Sequence, residues 1–238
     1  MPIFEAREVR DDVIRKINAT CIDHFPFQHT VIDNFFPKDF FRQLNRYFPD
    51  YDDIGFHDLM KRDFRYIKSV FNTETRNTKK EAKDIYDTFS QLFTLDLAEV
   101  ILKKFNITVN SELGWMCDYC WDLPNDNRQA LTPHTDHPSK IVSIVVYLPI
   151  LETPLRVIDG QVQYLPMPGT DILVQNSDLS FTEIKKIQAQ GNRATMFCKS
   201  DISWHSVDPT LYPRKTITMF IVDPAGCEGK RGFCFRKL

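Results

Sequence analysis

The sequence predicts an α+β protein, with an antiparallel β-core over residues 107–224 and helices from the first 106 residues packed on one face of it. Three observations predict this. Apolar residues in the first half recur at helical spacing. The second half breaks into short β-branched runs bounded by turn residues. No helical run separates those strands, which argues for a sandwich or barrel rather than a parallel sheet. The 238 residues contain no repeat, low-complexity tract or Gly/Ser linker, so the expectation is a single domain over 1–238 with a tail at 225–238.

The helices come first. Phe35-Phe36-Pro37-Lys38-Asp39 starts one, with Pro37 near its first position. Phe40, Phe41, Leu44, Tyr47 and Phe48 continue it until Pro49-Asp50. Ile85, Phe89, Leu92 and Phe93 mark a second over 79–93, and Leu97, Val100, Ile101 and Phe105 a third over 95–105. With 19 Phe in the chain, aromatic packing is expected to carry much of the core. Residues 50–78 are polar and read as an irregular, exposed stretch, a candidate lid.

The strands follow. Ile141–Leu148 is β-branched and stopped by Pro149. Residues 155–158 and 161–165 flank Asp159-Gly160, a strong two-residue hairpin signal. Asp171–Gln175, Ala194–Cys198 and Thr216–Val222 complete the set, and the Trp/Tyr-rich stretch around Cys117 and Cys120 also reads as strand. A redox CxxC opens a helix, where the dipole lowers the thiol pKa. This one has neither that setting nor a second pair to complete a zinc site, so ordinary reduced cysteines are expected.

Charge and hydropathy exclude some functions. The net charge is -2 and charged residues of both signs are mixed, leaving no footprint for nucleic acid or an anionic membrane. No apolar run approaches the roughly 20 residues that span a bilayer. The N-terminal residues lack a secretory pattern, and a cytoplasmic protein is expected.

The chemistry is concentrated in a few residues. In Pro133-His134-Thr135-Asp136, His134 and Asp136 are two apart, and on an extended chain such residues project to one side. His137 follows directly and should point away. His205 lies on a later strand that antiparallel folding can bring across the core. Two imidazoles and one carboxylate on a single face leave three positions of an octahedral metal open, the pattern of non-haem Fe(II) oxygenases. A bidentate 2-oxo acid fills two of these and O₂ the third. The far carboxylate of 2-oxoglutarate then needs a cation, and Arg214 stands nine residues after His205. Thr216 shares its face, whereas Lys215 points the other way.

These residues resemble the Fe(II)/2-oxoglutarate dioxygenase superfamily, in its prolyl-hydroxylase-like branch. The resemblance rests on Leu131-Thr132-Pro133-His134-Thr135-Asp136, on Val146-Tyr147-Leu148-Pro149, and on His205-Ser206-Val207-Asp208-Pro209 through Arg214. Pro168-Gly169-Thr170 and Asn192–Phe197 add to it, as does Val31–Phe36 near the N-terminus. It implies a double-stranded β-helix, or jelly-roll, core. It implies His134, Asp136 and His205 as iron ligands, Arg214 with Thr216 and Tyr147 as contacts to 2-oxoglutarate, and Tyr119 and Trp121 as lining of a substrate pocket. The implied reaction consumes O₂ and 2-oxoglutarate, releases succinate and CO₂, and hydroxylates a small-molecule or peptidyl substrate. Asp136 fills the position that related halogenases leave open for chloride.

Three alternatives stay open. Nucleic-acid demethylases of the superfamily carry a second Arg in the last strand where Phe220 stands here. A zinc hydrolase accommodates the same three ligands but leaves Arg214 unexplained. A non-catalytic jelly-roll binding module needs no metal set. The stretch 50–78 and the basic residues near the C-terminus are further candidates for substrate contact.

Overall fold

The computed structural model describes residues 3–54, 56–60, 65–72, 74–124, 131–148, 156–158, 161–163, 167–210, 212–228 and 234–238. Two sheets face one another, and helices cover the outer side of the larger one. Its central strands are β4 (Gly114–Asp122), β6 (Lys140–Leu148), β11 (Ala194–Cys198) and β13 (Arg214–Val222), in the order β11-β6-β13-β4. The smaller sheet runs β10-β9-β12-β5, from β5 (Leu131–His134), β9 (Thr170–Gln175), β10 (Phe181–Ile187) and β12 (His205–Val207). Four strands facing four, all antiparallel pairs, form the expected jelly-roll core.

Alternation along the central strands decides what each face does. On β6, Val142, Ile144, Val146 and Leu148 are buried against the helices. On β13 the corresponding set is Ile217, Met219 and Ile221, and on β4 it is Trp115, Cys117 and Tyr119. The intervening residues face the smaller sheet, because successive side chains point to opposite faces. They include Asp118, Asp122, Ser143, Arg214, Thr216 and Thr218, all buried. One face is therefore apolar and structural, and the other is polar and encloses the site.

The helices form where the periodicity places them. They are α2 (Lys38–Arg46), α3 (Lys80–Ser90) and α4 (Leu95–Lys104). Thr94 caps α4 through its side chain, and Lys103 and Lys104 suit its last turn. Phe35, Phe36, Phe40, Phe89 and Phe93 are all buried, with edge-on ring pairs such as Phe36–Phe40 at 5.7 Å and Phe89–Phe93 at 5.2 Å. A further helix, α1 (Ala6–Ala19), buries Val9, Val13 and Ile17 along one stripe. The sequence reading did not anticipate it, because only a narrow apolar stripe runs through a charged segment.

Two expectations are corrected. Residues 50–78 are not simply an exposed irregular stretch. They contain β2 (His57–Met60) and β3 (Arg65–Ser69), and β3 extends the large sheet beside β4 from Arg65↔Asp122 to Ser69↔Asp118. Arg65 and Lys68 are buried there. Asp53 organises the rest, accepting from Thr75 Oγ1 and from the Arg76 and Ile54 backbone amides. The C-terminal residues likewise contribute β14 (Phe235–Lys237), which pairs with β4 at Gly114–Met116. On the other edge, β1 (His29–Ile32) pairs with β11. The hairpin signal around residues 159 and 160 corresponds to β7 (Arg156–Ile158) and β8 (Gln161–Gln163), with Ile158 opposite Gln161. The two turn residues themselves lie outside the described residues. A short helix α5 (Pro224–Cys227), capped by Asp223, follows β13. All six cysteines are free, and Cys117 and Cys120 lie on opposite faces of β4. Among the described residues, no helix is long and apolar enough to cross a membrane.

Candidate metal centre

Strand pairing brings the two halves of the site together. β12 runs antiparallel to β5 with His205 directly opposite His134, and the ring centroids lie 4.3 Å apart. Asp136 follows β5 by two residues, beside both rings. One ligand atom each from His134, Asp136 and His205 lies within 4.8 Å of the others. His205 and Asp136 are buried and His134 is half-buried. Among the described residues this is the one His/Cys/Asp/Glu cluster able to hold a metal.

The protonation states suit a cation. His134 Nδ1 is 2.8 Å from the Thr132 carbonyl and His205 Nδ1 is 3.0 Å from the Ser203 carbonyl. A carbonyl oxygen only accepts, so each Nδ1 donates. Each Nε2 then presents its lone pair to the cluster. Burial pushes the His205 imidazolium down to about 4, against the attraction of Asp136. It is therefore neutral at pH 7, as a ligand must be. Burial raises the Asp136 carboxyl, but Lys140 and His205 outweigh it and hold the group well below the usual carboxylate range. Lys140 Nζ donates to Asp136 Oδ1 at 2.6 Å, and the Ser143 hydroxyl donates to Oδ2. The Phe197 ring packs on His205 at 4.7 Å. His137 stays outside the cluster: its Nδ1 lies 2.7 Å from Ser139 Oγ, although its side chain runs along the cavity wall rather than away from it.

The three ligands open onto a cavity of about 330 Å³ between the sheets. Arg214 lies on its wall, almost wholly buried. Its guanidinium is already oriented. Nε donates to Asp122 Oδ2 at 2.9 Å, with Nη2 2.8 Å from the same oxygen. Nη1 donates to the Pro168 and Gly169 carbonyls. Gly169 is required at this turn, since a Cβ there would come within 1.9 Å of the Ile187 carbonyl oxygen. Nη2 carries a second hydrogen beyond the one facing Asp122, so the group retains a donor for a ligand. Thr216 is opposite Tyr147 in the β13–β6 register. The Thr216 hydroxyl is buried and has no hydrogen-bond partner. An orphaned buried hydroxyl is costly unless a ligand satisfies it. The Tyr147 hydroxyl bonds those of Thr170 and Thr195 at 2.6 and 3.0 Å.

Lys215 points to the opposite face, near the Phe48 and Trp121 rings, as expected. Tyr119 and Trp121 require a correction. They also face the helices, where Tyr119 packs on Phe48 and Phe89 and the Trp121 Nε1 donates to the Pro49 carbonyl. They do not line the cavity. The acidic residues flanking them are on the cavity side: Asp118 lines it, and Asp122 holds Arg214. Arg65, Lys140 and Ser143 line the cavity as well, and no sequence motif marks them. The signal for the β4 pair was available, since Asp118 and Asp122 interrupt an otherwise apolar strand at even spacing.

No protein-family model matches the chain, and no curated protein matches it in sequence. Solved structures do match. A prolyl 4-hydroxylase from Pseudomonas putida is 15% identical with a TM-score of 0.52, over 90% of this chain and 98% of that one. A prolyl hydroxylase from Trichoplax adhaerens, solved with a hypoxia inducible factor oxygen degradation domain peptide fragment, is 14% identical with a TM-score of 0.52, over 93% and 91%. Likeness at this identity concerns the fold. The chain has the fold of the prolyl-hydroxylase-like branch of the Fe(II)/2-oxoglutarate dioxygenases, the superfamily that its motifs resemble.

Proposed function

We propose that this protein is an Fe(II)- and 2-oxoglutarate-dependent dioxygenase that hydroxylates an unactivated C–H bond of an amino acid, a peptidyl residue or a small metabolite. One observation carries the reading. Two imidazole Nε2 atoms and an ionised carboxylate converge on a cavity whose wall carries a buried guanidinium, and an unpartnered buried hydroxyl lies two residues along the same strand from that guanidinium. A zinc hydrolase uses the first three and has no need of the last two.

His134, Asp136 and His205 are the residues that hold iron. Bound iron, with 2-oxoglutarate and O₂, supplies an oxidant able to attack an unactivated C–H bond while succinate and CO₂ are released. Lys140 and Ser143 fix the Asp136 carboxylate in its ionised form. The Arg214 Nη2, the Thr216 hydroxyl and Tyr147 receive the far carboxylate of 2-oxoglutarate. The walls formed by Phe197, Val145 and Val207 exclude water from the reacting face. A peptide is bound by the Trichoplax neighbour, so a peptidyl substrate has precedent in this fold.

The test is iron content together with succinate formation in wild type, Asp136→Ala and His137→Ala. Asp136→Ala is expected to lose iron and succinate formation, whereas His137→Ala keeps its iron. Near-wild-type succinate formation by Asp136→Ala refutes the reading, as does loss of iron from His137→Ala alone.

A further inference from the structure

Two charged cavity residues, Arg65 and Asp118, are not used by the chemistry above, and neither is the second oxygen of the neighbouring Asp122. They sit on neighbouring strands. Arg214 on β13, Asp122 on β4 and Arg65 on β3 form one row across the sheet. Two guanidinium groups therefore flank a single carboxylate. Arg214 takes Asp122 Oδ2. Arg65 Nε stands 3.5 Å from Oδ1, outside hydrogen-bond geometry, and both of these atoms are buried without a hydrogen-bond partner. Arg65 is only 7% exposed and lines the cavity. A buried guanidinium that shares one carboxylate with another is only partly compensated, and an anion that joins it is favoured. One strand, β4, lies between them, and Arg65 approaches Asp122 Oδ1 while Arg214 holds Oδ2, so the two guanidinium groups stand on opposite sides of one carboxylate and Arg65 can take an anion other than the far carboxylate of 2-oxoglutarate.

Asp118 lies on the same cavity face of β4, four residues before Asp122. Among the described residues no ion pair joins it to Arg65 or Lys140. Burial pushes its carboxyl up to about 7, against the pull of Lys140 and Arg65. A nearby ammonium group would favour its ionised form. Between and beyond the two lie Ile67, Met116 and Phe220, which offer apolar surface.

We infer that the primary substrate is a free α-amino acid, held with its carboxylate on Arg65 and its amino group on Asp118. This rests on the dioxygenase reading and names its substrate class. Charge balance favours it. Lys140 pairs with Asp136 and Arg214 with Asp122, leaving one cation and one anion on the cavity wall. A zwitterion complements both, whereas a peptidyl residue brings neither charge. Arg65 and Asp118 are thus specificity residues that act on the substrate and not on the metal.

The test is binding, measured by calorimetry and thermal stabilisation on the full chain with Mn(II) and 2-oxoglutarate, and again with neither. The probes are the proteinogenic L-amino acids, each compared with its carboxamide, its N-acetyl derivative and its N-acetyl amide. At least one free amino acid is expected to bind, and each blocked form to bind about tenfold or more weakly, the loss typical of stranding a buried charge. Arg65→Gln is expected to lose at least about tenfold for the amino acid while 2-oxoglutarate affinity holds, with Arg65→Lys in between. Asp118→Asn, a near-isosteric change less prone to disturb folding, is expected to lose the preference for a free amino group. The inference is overturned if blocked forms bind as well as free ones, if no amino acid binds, or if Arg65→Gln weakens 2-oxoglutarate as much as the amino acid. Failure of 2-oxoglutarate to bind counts against the dioxygenase reading instead, and the arm without it still decides this one.

Discussion

At the scale of single residues, the side chains that matter are polar groups placed where water cannot reach them. Arg214 is held by Asp122 and two carbonyls before any ligand arrives, so little side-chain entropy remains to be lost on binding. Arg214→Ala is expected to weaken 2-oxoglutarate binding by roughly 2–5 kcal/mol, the usual cost of removing one partner of a buried charge pair. Lys215→Ala, on the helix side of the same strand, should leave it nearly unchanged. Calorimetric titration of 2-oxoglutarate into Mn(II)-loaded variants checks this, and equal losses would contradict the strand phase. Asp118 makes a separate prediction. Its folded-state pKa, raised to about 7, lies above that of the unfolded chain. The native state therefore holds a proton that the unfolded state releases. The contribution to stability falls as pH rises from about 4 to about 7 and stays low above that. Asp118→Asn removes the penalty, so it should raise Tm more at pH 8 than at pH 5. At this size each kcal/mol corresponds to about 2–4 °C. An equal gain at both pH values would show that Asp118 is not buried as described.

At the scale of elements, alternation made much of the fold legible and also set its limit. The β-branched runs announced β6, β11 and β13, and the spacing of His134 with Asp136 and of Arg214 with Thr216 put each pair on one side. Alternation alone does not say which side faces inward. On β4 both faces are rich in buried residues, and the family resemblance implies a pocket at Tyr119 and Trp121. The helices claim that face, leaving Asp118 and Asp122 to the cavity. The same cause hid β3. A charged stretch reads as solvated, yet Arg65 faces the cavity between the sheets and Lys68 is buried, its ammonium donating to the Glu74 carbonyl. Hydrogen exchange separates the two readings. The paired amides of Arg65–Ser69 should be protected to nearly the same degree as those of β4. Exchange as fast as that of a loose surface loop would contradict the placement of β3.

At the scale of the whole molecule, the large sheet divides two tasks. Its helix side buries the Phe-rich core, and its inner side faces the small sheet across the cavity. Stability and chemistry are therefore separable, and loss of metal should leave the jelly roll folded, unlike a zinc finger. The pairing of His134 with His205 was beyond sequence reading, since it depends on the register of β5 with β12 and not on spacing along the chain. Arg214 and Thr216 came into place through the register of β13 with β4 and β6. The central claim is that this assembly binds Fe(II) and 2-oxoglutarate together. Anaerobic titration of 2-oxoglutarate into the Fe(II)-loaded protein tests it most directly. The account predicts a weak visible charge-transfer band that saturates with 2-oxoglutarate and is absent from Asp136→Ala; iron-loaded protein that binds no 2-oxoglutarate and develops no band would contradict it.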